Sequence, residues 1–427
     1  MDNQANRGGN VAAIVTMFAL FFMIAFVTNF ATPMGVIAKN QFQTSNFLAQ
    51  LGNAANFFAY LFMGIPGGLI LKRKGYKFTA LTAVAVGCYA AYAFIAYERL
   101  PEEMELEIKV PSAGLRSSRL LRQNEIYTAV SYNIGFGAYT PGFSFFMDGG
   151  TESVAASAES VKATVGGAAG CARGLDPDFV LFQEVDLKAT RSYYINESEL
   201  IDAVFPEYYH TFAVNYDSPF LFYPILQPHG RTKAGLATYS RYPIVSAVRY
   251  ALPISEYFDK FFDLDRCYAV MKIPVENGKF LDLYHVHLSA YSEDAKIREG
   301  QTLKLMGALK RSYKEGNYVI CAGDFNHDMK NPTQTTEQVF SWAHIFPRET
   351  LPEGFFIVQD RLPEAERFGM PDSSRNSDMP YDPEKTMTIT LDAFIVSDNV
   401  ETVRYSVIDH GFLFSDHQPV VFSFRLK

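Results

Sequence analysis

The sequence predicts an α+β sandwich, two packed β-sheets with helices outside, preceded by about three transmembrane helices. Three observations carry this. The first hundred residues contain three long runs without a charged side chain. The rest of the chain repeats short, alternating apolar runs bounded by Gly, Pro or polar residues. Polar side chains able to do chemistry stand at the ends of those runs, where a rigid scaffold offers reactive groups.

The two parts differ as materials. Of the 427 residues, 48 % are hydrophobic and 20 % charged, which excludes a disordered or low-complexity chain. Residues 1–100 carry a balance of +5, so with a total of −8 the remainder carries −13. The acidic part argues against a general nucleic-acid coat protein. Four cysteines (Cys88, Cys171, Cys267, Cys321) without paired spacing exclude a disulfide-stapled miniprotein and a cysteine-rich zinc module.

A bilayer span needs about 20 mainly apolar residues. Residues 11–33, 47–71 and 77–97 meet that need, giving a membrane segment over 1–97. The loop KRKGYK (72–77) holds four positive charges and is expected to stay cytoplasmic. The chain is then a multi-pass protein of the cell membrane, with everything after Tyr97 extracytoplasmic. A reporter enzyme fused after Glu98 reads this orientation directly, and cytoplasmic activity would refute it. The segments FATPMG (30–35) and GIPGGLILKRKGYK (64–77) resemble the start of major facilitator sugar permeases of the fucose-permease type. Such transporters close their pathway from two six-helix halves, so three helices read as an anchor.

Residues 98–125 are charged and hold Pro101, Pro111 and Gly114, as a linker does, and the second domain is expected over 126–427. Strand-like runs follow at 126–133, 178–185, 234–240, 266–273, 280–288, 318–325, 387–397 and 419–426. Helical patterns occupy 151–174 and 292–316, the second placing Ile297, Leu303, Leu305, Met306 and Leu309 mostly along one stripe.

Asn133, Glu184 and His287 end three of these runs, and Asp324 and Asn326 follow a fourth. Asp392 lies in TITLDAFIV, and Asp416 and His417 precede the last run. Singly, each has a structural explanation, because Asn and Asp at strand ends make turns. As an ordered set they say more. SYNIG (131–135), LFQEVD (181–186), GLATYSRYPI (235–244), HVHLSA (285–290), GDFNHD (323–328), LDAFIVS (391–397) and SDHQPV (415–420) resemble the motifs of the endonuclease/exonuclease/phosphatase, or deoxyribonuclease I-like, superfamily over residues 126–427. His285 stands where many members carry Asn. The resemblance implies a four-layer α/β-β/α sandwich of two mixed sheets flanked by helices. It also implies a metal-dependent phosphodiester hydrolase.

Hydrolysing a phosphate ester requires charge compensation on the phosphoryl oxygens and a water placed in line with the leaving group. Mg²⁺ suits oxygen ligands and retained water, with Mn²⁺ or Ca²⁺ as alternatives. By the resemblance, Asn133, Glu184 and Asp416 form the metal side. Asp324 would align or deprotonate water, and Asn326 would hold a phosphoryl oxygen. His417 would be a base or a cationic clamp, fixed by Asp392 on its other ring nitrogen. His287 would be a second proton donor or a phosphate contact. Arg375, in DSSRNSD (372–378), is a candidate substrate contact or part of a surface loop.

Two loops beside this set are aromatic, NIGFGAYTPGFSFFMDGG (133–150) and NYDSPFLFYPILQPHGRTK (215–233). Their rings suit packing of the loop bases, stacking on single-stranded nucleic acid or contact with lipid. The acidic charge and the membrane segment favour small or lipid-head-group phosphodiesters over long DNA. The competing classes are a nuclease on DNA or RNA, a catalytically silent membrane binding protein, and a transport component resting on the first hundred residues alone.

Overall fold

The structure is a computed structural model that describes residues 69, 71–112, 117–255, 265–290, 295–331 and 343–427. The chain divides into two compact units, 1–95 and 96–427. In the first, helix α1 (Tyr76–Ala96) is long and apolar enough to cross a membrane, with mean hydropathy 1.7. It begins one residue before the expected third span. The expected spans at 11–33 and 47–71 lie outside the described residues, Leu69 and Leu71 apart.

The second unit runs through β1 (Glu103–Glu105), β2 (Ile108–Lys109), β3 (Ile126–Asn133), α2 (Ala158–Gly174), β4 (Phe179–Ala189), α3 (Glu197–Val204), β5 (Tyr209–Asp217), β6 (Thr232–Ser240), β7 (Ser246–Ala251), β8 (Cys267–Pro274) and β9 (Phe280–His287). It continues through α4 (Ala295–Lys314), β10 (Tyr318–Asp324), β11 (Phe355–Ile357), α5 (Glu364–Gly369), β12 (Ser374–Arg375), β13 (Thr388–Ile389), β14 (Asp392–Ser397), β15 (Val400–Val407) and β16 (Val420–Leu426). Among the described residues, two seven-stranded sheets form, ordered β1-β7-β8-β9-β10-β14-β11 and β15-β16-β3-β4-β6-β5-β2, with β12 and β13 as a separate pair.

Burial of both faces explains the near-continuous apolar strands. Along β4, Phe179 and Leu181 enter the cluster between the sheets, while Val180 and Phe182 face the cluster that α2 covers with Val161, Val165, Ala168 and Ala172. Along β10, Ile320 and Ala322 point inward and Val319 and Cys321 point to Leu305, Met306 and Leu309 of α4. Period-2 strands with two buried faces, each closed by a helix, make the four layers. Among the described residues, the core clusters are built from residues of the second unit, and they pack both faces of both large sheets within 97–427.

Several expectations change. The expected linker 98–125 contributes an edge strand to each sheet: β1 pairs with β7 and β2 with β5. Its charges hid this because edge strands tolerate polar residues on the open side. The helix expected from 151 starts at Ala158, where the Ser157 hydroxyl caps it by accepting from the Ser160 N–H. Residues before it are drawn elsewhere, with the Ala155 N–H on Arg191 O. Leu303 is 51 % exposed and lies off the buried stripe of α4. The run 387–397 splits into β13 and β14 because the Leu391 and Asp392 N–H groups bond the Ser373 hydroxyl.

The fold delivers reactive groups to one edge by a repeated device. β3 and β4 are parallel around α2, and β9 and β10 are parallel around α4. Each sheet therefore ends two parallel strands side by side, Asn133 beside Gln183 and His287 beside Asp324. The antiparallel β14 starts at Asp392, in register with Asp324. Just below, a buried polar bridge joins the sheets: His285 Nε2 lies 2.6 Å from Gln183 Nε2 and its Nδ1 2.8 Å from Thr238 Oγ1. Burial lowers the His285 pKa to about 3, so the ring is neutral. The His in place of Asn thus makes a cross-sheet contact.

Candidate active site

The strand ends enclose a cavity of about 450 Å³. Glu184, His287, Asp324, Asn326, Arg375, Asp416 and His417 all line it. Asn133 and Asp392 stand one layer behind, bonded to groups on the wall.

Asn133 ties the sheets together. Its Nδ2 donates to Glu184 Oε1 at 3.2 Å and to Asp324 Oδ2 at 3.0 Å, and its Oδ1 accepts from the Gly135 N–H at 3.0 Å. In this orientation the amide holds two carboxylates, and its oxygen serves the backbone. Glu184 reaches the cavity through a bulge: the β4–β6 register shifts between Phe182 and Val185, and Glu184 has φ +55°. A left-handed residue at a bulge re-aims its side chain, a device seen beside active sites. Gly135, at φ +51°, is equally constrained, because a Cβ there would meet the Tyr139 ring at 2.6 Å and Asp416 Oδ1 at 3.1 Å. Asp416 accepts from the Ser415 and Ser377 hydroxyls at 3.2 and 3.1 Å.

On the other side, His417 Nδ1 lies 2.7 Å from Asp392 Oδ2. Asp392 is fully buried and also accepts from the Ser373 hydroxyl at 2.7 Å. Burial opposes charge on the His417 ring, but Asp392 and then Asp324 outweigh it and hold its pKa well above the usual value. His287 goes the other way: burial, with Arg266 and His417 nearby, pushes it well below. Asp324 stands between the two rings, Oδ2 at 3.6 Å from His417 Nε2 and 3.5 Å from His287 Nε2. Burial raises its carboxyl to about 6. Asn326, at φ +48°, donates its N–H to Asp324 Oδ1 and its Nδ2 to Leu288 O.

Arg375 is buried, and its guanidinium bonds Thr140 O and Asn376 O, so it braces the 140–143 turn while bordering the cavity. The sequence reasoning missed Arg266, Arg298 and His344 on the cavity wall and the positioning hydroxyl of Ser373. Only Arg266 had a signal, as the basic residue of DLDRCY (263–268). A second cavity of about 80 Å³ shares Glu184, Arg266 and His287 with the first. It is walled by Phe136, Phe145, Tyr216 and His229, with the Arg191 guanidinium 3.8 Å over the Phe136 ring. Phe136, Tyr139, Phe143 and Phe145 pack on one another and are at most 5 % exposed.

A divalent cation fits the carboxylate side. Burial raises the Glu184 carboxyl against the opposing pull of Arg191, and Asp416, on the same cavity, adds to the rise, so two carboxylates with oxygen donors face one space. Asp324, Asp392 and His417 also place ligand atoms within 4.8 Å of one another. That group is better satisfied as it stands, because a protonated His417 bonded to Asp392 has no lone pair for a metal.

The sandwich thus brings Asn, Glu, two His and three Asp to one edge, with a hydrogen-bonded Asp–His pair. Residues 130–417 match the Endonuclease/Exonuclease/phosphatase family, and the chain belongs to that family. Its members are phosphodiesterase- and nuclease-type hydrolases that generally use a divalent metal. No curated protein matches the chain. Similar solved structures include an endonuclease/exonuclease/phosphatase from Beutenbergia cavernae DSM 12333, at 16 % identity and TM-score 0.49, covering 71 % of this chain and 72 % of that one. Another is D. rerio TDP2 complexed with single strand DNA product, at 16 % identity and TM-score 0.44, covering 71 % and 100 %. The human Nocturnin catalytic domain with bound sulfate is similar at 17 % identity and TM-score 0.45, covering 74 % and 99 %.

Proposed function

We propose that the chain is a membrane-anchored, metal-dependent phosphodiester hydrolase whose domain works outside the cytoplasm. One observation carries the chemistry: Asp324 lies between two imidazoles that the protein keeps in opposite charge states. Such a divergence marks separate acid–base roles. The cationic His417 clamps a phosphoryl oxygen, with Asp392 holding its tautomer. Asp324, poised near neutrality, orients the attacking water and takes its proton. Neutral His287 contacts the phosphate from the opposite side, and Asn326 fixes the Asp324 carboxylate through its N–H. Glu184 and Asp416 would hold Mg²⁺, which when bound neutralises phosphoryl charge and steadies the leaving oxygen. Asn133, expected as a third ligand, instead positions Glu184 through its amide N–H, because its oxygen is bonded to the Gly135 N–H.

The substrate read here is a small or lipid-head-group phosphodiester. The rings of the 133–150 loop, Phe136, Tyr139, Phe143 and Phe145, are used up in packing and offer no face for base stacking. This weighs against the nuclease alternative. The complete acidic and His set weighs against a catalytically silent membrane protein. The anchor rests on α1 and on spans outside the described residues.

The test uses the full chain in detergent with bis-p-nitrophenyl phosphate, sphingomyelin and single-stranded DNA, with and without Mg²⁺. Turnover of the small or lipid diester is expected only with metal, and Glu184→Ala lowers it by about 10²-fold or more. Equal turnover by Glu184→Ala, or DNA as the preferred substrate, would contradict this reading.

A further inference from the structure

The loop after β5 ends in an ordered apolar tip whose outermost side chains stand exposed. Tyr223 is 68 % exposed, Ile225 72 % and Leu226 99 %. The tip is built, not frayed. Leu221 and Gly230 form a reciprocal bridge at 3.0 and 2.8 Å. The His229 N–H donates to Tyr223 O and the Gln227 N–H to Pro224 O. From outside, the Ser153 hydroxyl donates to Gln227 O and its N–H to Gln227 Oε1. The protein thus orders consecutive large apolar groups in water, which is unfavourable unless they meet a partner.

The surroundings say which partner. From Ser218 to Gly230 there is no Asp, Glu, Lys or Arg. At the loop's base, Arg231 and Lys233 are 69 % and 45 % exposed and lie 4.0 and 3.3 Å from Asp217. Rings and aliphatics at a tip with cations behind it match the layering of a bilayer surface, with hydrocarbon outermost and anionic head groups next. The same chain carries α1, an apolar helix long enough to span a membrane, so its sequence connects this domain to one.

We propose that the 218–230 tip inserts into the lipid surface and presents the reaction cavity to head groups. The base of the loop reaches that cavity. His229 lines the second cavity, which shares Glu184 and His287 with the first. The Phe146 ring packs 5.9 Å from Tyr223, and the next residue, Met147, lines both cavities. Insertion therefore acts on substrate access, whereas Ile225 and Leu226 line neither cavity. The substrate part of this inference rests on the hydrolase reading above. The binding part does not.

The experiment is flotation of the 97–427 fragment, within which both faces of both large sheets are packed, with vesicles of phosphatidylcholine alone and with added phosphatidylglycerol. The wild-type fragment is expected to float, more strongly on the anionic vesicles. The double variant Ile225→Asp/Leu226→Asp lowers the bound-to-free ratio about ten-fold or more. Its kcat/KM on soluble bis-p-nitrophenyl phosphate stays within about two-fold, while turnover of a vesicle-borne phosphodiester falls with binding. A wild-type fragment that does not float, or a double variant that floats equally, overturns the proposal. So does sedimentation showing that the tip pairs two copies of the chain and that the variant merely separates them. Vesicle binding without hydrolysis of any ester would instead sink the hydrolase reading and leave this surface standing.

Discussion

Replacing His417 by Ala is expected to lower phosphodiester turnover by about 10³-fold, with a much smaller change in KM. The ring is held at both ends, Nδ1 by Asp392 at 2.7 Å and Nε2 facing Asp324 at 3.6 Å. Asp392 keeps it cationic in a site where burial alone would discharge it. A cation fixed where phosphoryl charge grows acts mainly in the transition state, so the loss falls on kcat. The deletion also strands a buried carboxylate, which destabilises the fold. Asp392→Asn separates the two effects, because an amide fills the same space without charge. It is expected to keep the far-ultraviolet spectrum and lose about 10²-fold in turnover. The sign with pH follows from the raised pKa. The imidazolium persists through neutral pH and is lost as pH rises through its elevated value. In Asp392→Asn the alkaline limb of the pH–rate profile therefore moves to lower pH. An unmoved limb would mean that His417 carries no such charge.

Gly323→Ala is expected to have the largest effect on stability. Gly323 precedes Asp324 at φ +146°, and a Cβ there would lie 1.9 Å from Val286 O on β9. That oxygen is backbone in the middle of a sheet and has nowhere to go. The substitution should cost about 4 kcal/mol or more, enough to abolish folding of many domains. Gly307→Ala is the control: it lies inside α4, and the nearest group to its Cβ is the Arg311 guanidinium at 3.7 Å. It should stabilise by up to about 1 kcal/mol. Urea denaturation of the two variants reads both. Equal midpoints would show that β9 and β10 do not approach as closely as described, and with them His287 and Asp324.

The same close approach explains what the sequence made legible. Residues whose chemistry depends on the backbone they end, such as Asn133 after IYTAVSY and Asp324 after YVICAG, announced themselves through strand pattern and motif order. The four layers were legible because β3, β4, β9 and β10 are buried on two faces and their helices on one. Edge strands were not. β1 and β2 are short and charged, and only their pairing with β7 and β5 makes them strands. β5, β7 and β15 alternate weakly, with Arg249 and Arg404 in positions that suggest a loop. Arg249 is nonetheless fully buried and satisfied by the carbonyls of Val214, Pro101 and Asp265. Arg298 and His344 reach the cavity from separate segments with no shared pattern, so nothing local marked them. Arg375 shows the limit of motif reading: its place at the cavity was legible, and its guanidinium's use by Thr140 O was not.

The central claim is that Glu184 and its neighbours hold a catalytic divalent cation in the cavity that His417 closes. Calorimetric titration of Mg²⁺ into metal-free protein, wild type against Glu184→Gln, tests it most directly. The account predicts a saturable site in the wild type and a loss of affinity of about ten-fold or more in the variant. The variant should also melt at or above the wild-type temperature without metal, because a neutral amide removes the burial cost of the Glu184 charge and its repulsion from Asp416. Equal Mg²⁺ affinity in the two proteins would contradict it.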